Sequence, residues 1–130
     1  MKCSLIQQTN EPVLTIARIA SICYDSDPTN PKKLVEHLYK NGHHSVFEHI
    51  YFTFKIEGIS RACSHQLVRH RMCSFTQRSQ RYCNEAEAEY VTPPTLRGNT
   101  EYMDDLITVE DSYAYYASNG IPKEDARYIL

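Results

Sequence analysis

The sequence predicts an α/β fold class, because stretches with helical periodicity alternate with stretches in which every second residue is apolar. The clearest strand covers residues 50–57, where the apolar side chains are Ile50, Phe52, Phe54 and Ile56. With 130 residues, of which 42% are hydrophobic and 23% charged, the chain has the length and composition of one globular domain. No apolar run is long enough to span a bilayer and none follows Met1 as the core of a signal peptide, so we expect a cytoplasmic protein.

The remaining elements follow from caps, turn residues and apolar spacing. A short strand is predicted over residues 3–7, and helices are predicted over 11–23, 31–41, 60–72 and 100–118, with a last helix that begins at Pro122. The predicted N-caps of the first three helices are Asn10, Asn30 and Ser60. Residues 73–82 have mixed polarity and are predicted to form an irregular loop or a short strand.

Positive charge is concentrated in residues 58–84, which contain five arginines and no lysine, aspartate or glutamate. Arg61, His65 and Arg69 are four residues apart and are expected to form one polar ribbon along the third helix. Guanidinium donates paired hydrogen bonds to phosphate or carboxylate oxygens and keeps its charge. Because residues 85–130 carry ten acidic and three basic residues, we interpret the arginine block as a local anion site.

Several segments, in a fixed order, carry a family resemblance. Residues 43–49 read HHSVFEH, residues 66–82 read QLVRHRMCSFTQRSQRY, and residues 124–130 read EDARYIL. At the centre, Arg69-His70-Arg71 is followed by seven residues and then by Ser79. This arrangement resembles the flavin-dependent thymidylate synthases, whose signature is R-H-R-x7-S and whose flanking segments are H-x-[ST]-x-F-E-H and A-R-x-x-L.

The resemblance implies an enzyme of dTMP biosynthesis that methylates dUMP reductively. Methylenetetrahydrofolate would donate the carbon, and FAD reduced by NADPH would donate the hydride. The resemblance also implies a twisted, mainly antiparallel sheet with packed helices, and a homotetramer whose sites are shared between subunits. From the charge distribution, the short apolar runs and the histidine and cysteine spacings, we expect no nucleic-acid partner, no membrane partner and no metal.

The site residues implied by the resemblance fall into three groups. FAD would be bound by Ser45, Glu48, Arg69, His70, Arg71 and Gln77. The nucleotide dUMP would be bound by Gln66, Arg69, Gln77, Ser79, Arg81 and Arg127. His43 would lie where folate and NADPH enter. Ser79 is expected to hydrogen-bond rather than act as a nucleophile, because no histidine–carboxylate pair accompanies it.

No catalytic residue is assigned within this chain, because the family's dUMP-activating arginine lies beyond the segment that contains Arg127. Ala126, Ile129 and Leu130 begin an apolar helix face that the last residues leave unfinished. We therefore expect residues 1–130 to be a single domain that forms the N-terminal portion of a longer synthase. Alone, this portion is expected to bind FAD weakly and to make no thymidylate.

Two other functions are compatible with parts of the sequence. Residues 61–81 could form an arginine-rich nucleic-acid-binding module, but the acidic last third and the missing lysines oppose it. A metallohydrolase would need a histidine spacing such as H-E-x-x-H, which the histidines at 43, 44, 49, 65 and 70 do not provide. The cysteines at 63, 73 and 83 also lack a metal-ligand spacing and are expected to be buried thiols.

Overall fold

The computed structural model describes residues 1–130 and divides into two compact units, Met1–Glu57 and Gly58–Leu130. The first unit contains an antiparallel sheet of two strands together with two helices, and the second consists of helices and loops. This confirms the predicted α/β class with antiparallel pairing and packed helices. None of the helices combines the length and the apolar character that crossing a membrane requires.

The sheet of the first unit pairs β1 (Lys2–Gln8) with β2 (Phe52–Glu57). The register runs from Lys2 opposite Glu57 to Gln8 opposite Phe52, with an irregularity between Leu5 and Gln7. Because side chains alternate across a strand, one face collects the apolar residues of both strands. That face is formed by Cys3, Leu5, Phe54 and Ile56, which meet as the cross-strand pairs Cys3–Ile56 and Leu5–Phe54.

Two helices complete the first unit, α1 (Pro12–Ser21) and α2 (Pro31–Lys40), and they pack against each other. The buried apolar residues of α1 are Ile16, Ala17 and Ala20, which recur on one face at the helical repeat. The predicted cap of α2 is confirmed, since Asn30 Oδ1 accepts a hydrogen bond from the backbone N–H of Lys33 at 3.1 Å.

The predicted cap of α1 is wrong. Glu11, and not Asn10, precedes the first helical residue, and its φ of 44° places it in the left-handed region. An N-cap side chain reaches the helix amides from an extended backbone, so this geometry leaves α1 without a side-chain cap. The helix also ends earlier than expected, at Ser21, and Ile22–Tyr24 continue it as a 3₁₀ turn.

The second unit contains α3 (Arg61–Leu67), α4 (Thr100–Ser118) and α5 (Lys123–Ala126), with 3₁₀ turns at Pro94–Leu96 and Arg127–Ile129. Helix α4 packs against α5 and the turn that follows α5. The buried apolar residues of this unit are Tyr113, with no exposed surface, and Ala126. Residues 73–82 contain neither helix nor strand, so of the two predicted alternatives the irregular loop is the one observed.

Helix α3 confirms its predicted cap but not its predicted length. Ser60 Oγ accepts from the backbone N–H of Cys63 at 3.1 Å. The helix ends at Leu67 because the next amides bond to carbonyls three residues back, as Arg69 N does to Gln66 O at 3.1 Å. Arg69 therefore lies beyond the helix, and the expected polar ribbon with Arg61 is wrong.

Candidate functional site

Three of the expected site residues lie in the first unit, and all three are exposed: His43, Ser45 and Glu48. They belong to, or directly precede, the 3₁₀ turn His44–His49. An aromatic contact holds this turn against α2, because the ring centroids of Tyr39 and His44 are 5.6 Å apart and those of Tyr39 and Phe47 are 6.0 Å apart. The packing leaves the serine hydroxyl and the glutamate carboxylate at the surface.

The other expected site residues lie in the second unit, on the C-terminal end of α3, the loop that follows it and the turn after α5. Gln66 occupies the last helical turn of α3 and is exposed. Gln77, eleven residues later, returns to the same helix, where its Nε2 donates to Ser64 Oγ. Ser64 is buried and its hydroxyl donates to Arg61 O at 2.9 Å. This contact fixes the start of the segment 77–81, which we call the nucleotide loop after the residues in it that are expected to bind dUMP.

The triplet Arg69-His70-Arg71 lies in the turns between α3 and the nucleotide loop. All three side chains are exposed. The local fold is fixed by backbone bonds, including Cys73 N to His70 O at 3.0 Å. Neither Arg69 nor Arg71 forms an ion pair with a carboxylate of its unit. Two uncommitted guanidiniums two residues apart are the donor chemistry that the diphosphate or the anionic reduced ring of a flavin requires, so these residues fit that group.

Arg81 in the nucleotide loop is joined to α5 by an ion pair. Its Nε and Nη2 both donate to Glu124 Oε2, at 3.1 Å and 3.0 Å. The Glu124 carboxylate raises the pKa of the Arg81 guanidinium above its ordinary value, so Arg81 stays positive. The backbone oxygen of Glu124 accepts from Arg127 Nε at 3.1 Å. One glutamate therefore contacts two of the residues expected to bind dUMP.

Arg127 also lines a pocket of about 330 Å³ in the second unit. The other residues that line it are Gln80, Tyr128 and Leu130. Gln80 belongs to the nucleotide loop, so this loop and the turn after α5 both contribute residues to the lining of this open pocket. The pocket is mostly polar in its side chains and carries a guanidinium, which suits a small polar anion.

Ser79 bonds within its own loop. Its Oγ accepts from the backbone N–H of Arg81 at 3.2 Å, and its backbone oxygen accepts from Cys83 N at 3.0 Å. No imidazole hydrogen-bonds the hydroxyl. The arrangement is that of a serine whose hydroxyl and carbonyl both stabilise a tight turn.

Sequence reasoning missed the partners of Arg78. Its Nη1 lies 3.5 Å from Glu85 Oε2, and its Nη2 donates to Asn84 O at 3.1 Å. The pKa of Arg78 is raised, first by interaction with the Cys83 side chain and then by the charge of Glu85. One sequence signal was available, because Glu85 is the first acidic residue after the arginine block. Two of the five arginines thus find carboxylates outside the block.

The expectation that the three cysteines of this unit are buried is wrong. Cys63 and Cys73 are exposed, and Cys83 is half-buried. Helix α3 buries the face that carries Ser64, which turns the neighbouring Cys63 outward, and Cys73 lies in an open turn. The other two cysteines, Cys3 and Cys23, are also exposed.

Comparison with known proteins identifies the family. Residues 4–130 match the family model described as "Thymidylate synthase complementing protein". The chain belongs to this family. The resemblance carried by the R-H-R-x7-S arrangement is therefore confirmed.

Two relatives of this chain carry the same name. A protein named "Flavin-dependent thymidylate synthase" from Geobacter sulfurreducens is 36% identical, and the alignment covers 100% of this chain and 63% of the relative. A protein of the same name from Pyrococcus horikoshii is also 36% identical, with 100% of this chain and 61% of the relative covered. The chain thus spans less than two thirds of the length of these relatives.

A solved structure shares the fold of this family member. It is a "UMP/dUMP methylase PolB from Streptomyces cacaoi bound with 5-Br dUMP", with a TM-score of 0.77 and 21% identity. The match covers 99% of this chain and 66% of that chain. At this identity the likeness establishes the fold.

Proposed function

We propose that the protein is a flavin-dependent thymidylate synthase that converts dUMP to dTMP. Methylenetetrahydrofolate is the carbon donor, and FAD, when bound and reduced by NADPH, supplies the hydride. The observation that carries the proposal is that the arginines of the second unit differ in whether a carboxylate already binds them. Arg69 and Arg71 are exposed and unpaired, whereas Arg81 is oriented by Glu124 beside Ser79.

The charges of the flavin and of dUMP explain why their site would need several arginines. A reduced flavin is anionic and dUMP carries a phosphate dianion, so a shared site has to offset repulsion between two anions. Fixed guanidiniums do this without losing their own charge, and their effect grows where water is excluded. Two unpaired arginines in the turns after α3, and one oriented arginine in the loop that Ser64 anchors, supply this positive charge.

The roles assigned to individual residues are part of this proposal. Those that hold FAD are Ser45, Glu48, Arg69, His70, Arg71 and Gln77. Those that hold dUMP are Gln66, Arg69, Gln77, Ser79, Arg81 and Arg127. His43 stands near the path by which folate and NADPH reach the flavin. The pocket beside Arg127 supports the dUMP assignment, because it joins that guanidinium to the nucleotide loop.

We include in the proposal a homotetramer with sites shared between subunits. The apolar sheet face of the first unit supports it, since Leu5, Phe54 and Ile56 are exposed by 49%, 52% and 40%. Large contiguous apolar surface of this kind is typical of protein–protein interfaces. Analytical ultracentrifugation of the protein and of a Phe54→Lys variant tests this part, and a monomeric wild type contradicts it.

The test of the proposed activity uses the full-length gene product that contains these residues, with residues 1–130 alone in parallel. We expect the full-length protein to show a flavin absorbance spectrum and to oxidise NADPH only when dUMP is present. Arg71→Gln is expected to lose flavin, whereas Arg97→Gln, which alters an exposed arginine outside the arginine block, is expected to retain it. Bound nucleic acid in place of flavin, with binding that falls steeply as salt rises, would contradict the proposal.

A further inference from the structure

Arg78 is anchored through both its backbone and its side chain. Its backbone oxygen accepts from Arg61 Nη2 at 3.2 Å, which ties it to α3. Its guanidinium reaches across the loop to Asn84 O and to the carboxylate of Glu85. A guanidinium occupied in this way is a structural group, unlike the unpaired guanidiniums of Arg69 and Arg71.

The partner, Glu85, is the only buried residue with a charged side chain. Its side chain is 7% exposed, against 59% for the side chain of Arg78. A buried carboxylate is costly unless a positive charge and hydrogen bonds accompany it. Arg78 supplies the charge at Glu85 Oε2, so the ion pair is the contact that compensates this carboxylate, whose Oε1 has no hydrogen-bond partner. Separately, the backbone N–H of Glu85 donates to the hydroxyl of Tyr113 at 3.2 Å. Because Tyr113 is fully buried, this bond fixes Glu85 on helix α4.

The residues between these anchors are the ones that the nucleotide requires. Ser79 and Arg81 lie between Arg78 and Glu85 in sequence, and the ion pair closes the loop that carries them. Inside the loop, the amides of Arg81 and Cys83 both bond to Ser79, at 3.2 Å and 3.0 Å. The loop is thus tied at its start to α3, at its end to α4, and internally to itself.

We propose that Glu85 is a positioning residue for the nucleotide: through Arg78 and Tyr113 it holds residues 79–84 in the conformation that presents Ser79 and Arg81 to dUMP. This inference rests on the proposed function. An exposed ion pair alone contributes little, but a pair with one buried member is different, because breaking it leaves a charge without compensation. A site needs such support if its groups are to stay in register with the ligand.

The first arm of the test measures the loop itself, without any ligand. Amide hydrogen exchange is compared in the wild type, Glu85→Gln and Glu87→Gln, of which the last alters an exposed glutamate two residues away. We expect Glu85→Gln to accelerate exchange at the amides of Arg81 and Cys83, with little change in α4. Unchanged exchange at these amides, or equal acceleration throughout the second unit, would overturn the inference.

The second arm measures dUMP binding to the flavin-loaded full-length protein by calorimetry, with turnover in parallel. For Glu85→Gln we expect a dUMP Kd raised roughly tenfold, the effect of weakening one charge-assisted hydrogen bond, with kcat at saturating dUMP and flavin content close to those of Glu87→Gln. A dUMP Kd equal to that of Glu87→Gln, or a loss confined to kcat, would show that Glu85 does not position the nucleotide.

A milder variant keeps the test decisive where Glu85→Gln does not fold. Arg78→Lys retains a positive charge for the buried carboxylate but loses the second branch that reaches Asn84. We expect it to fold and to raise the dUMP Kd by about threefold. No change in Kd overturns the inference. If the wild type binds flavin but no dUMP, the proposed function fails, and the exchange arm still decides whether Glu85 orders the loop.

Discussion

Arg81 and Glu124, which are 43 residues apart in sequence, meet through two hydrogen bonds to a single carboxylate oxygen. The side chains are 54% and 50% exposed, so the pair lies at the surface of the second unit. Its geometry leaves other N–H groups of the guanidinium free, because Glu124 takes up only Nε and one branch at Oε2. The pair therefore orients Arg81 but leaves N–H groups of its guanidinium available to a ligand. Two predictions about dUMP binding follow from this geometry.

Replacing Arg81 by lysine is expected to weaken dUMP binding by roughly 1.5–3 kcal/mol, the range for a hydrogen bond to a charged group. Lysine keeps the charge but loses the planar fork that bonds phosphate oxygens in pairs. Isothermal titration calorimetry of dUMP measures the change, with Arg97→Lys as the surface control. Equal affinities for the wild type and Arg81→Lys would remove Arg81 from the site.

Replacing Glu124 by glutamine is expected to have a smaller effect, at most about 1 kcal/mol on dUMP binding, because exposed ion pairs contribute little. The matched control is Asp125→Asn, which removes a neighbouring exposed carboxylate from the same helix. A double-mutant cycle with Arg81→Lys should show that the two effects are not additive. A loss as large as that of Arg81→Lys, or full additivity, would mean that Glu124 acts on dUMP by another route.

Ser79→Ala is expected to retain turnover. The hydroxyl accepts one hydrogen bond, from the amide of Arg81, and has no base as partner, so its removal should lower kcat/KM by no more than about tenfold. Dependence of NADPH oxidation on dUMP measures the effect, with Ser26→Ala as a control in an exposed turn. Abolished activity with intact dUMP binding, or a covalent adduct on Ser79 by mass spectrometry, would establish a nucleophile instead.

Tyr90 is expected to ionise later than an exposed tyrosine. Burial raises the pKa of its phenol, and the negative charges of Glu110 and Glu85 raise it further. Since the folded pKa is higher than the unfolded value of about 10, the associated stability is complete below that pH and is lost as the pH rises through the folded pKa. Ultraviolet titration of the wild type minus Tyr90→Phe should show this late phase.

The control for that titration is Tyr82→Phe, because the side chain of Tyr82 is 78% exposed. This variant should leave the late phase of the titration in place. A Tyr90 difference curve with a midpoint at or below the ordinary tyrosine value of about 10 would show that the phenol is solvated in the folded protein.

The sequence by itself determined the features that depend on near neighbours. The two-residue period located β2, and the caps Asn30 and Ser60 accept the expected backbone hydrogen bonds. The R-H-R-x7-S arrangement led to the family, which the comparison confirmed. Each of these signals is local, because a cap, a strand face or a signature is complete within a few residues.

Only the tertiary structure decided how the arginines are used and where α3 ends. Arg78 and Arg81 are both arginines of the same loop. Arg78 is nevertheless paired to the buried carboxylate of Glu85, whereas Arg81 is paired to the exposed carboxylate of Glu124. An arginine side chain is long enough to reach carboxylates that are distant in sequence. Its partner therefore depends on how the loop packs against α4 and α5 and not on sequence spacing. The end of α3 at Leu67 was equally hidden, because three-residue hydrogen bonds compete with helical ones by small margins that the surrounding fold decides.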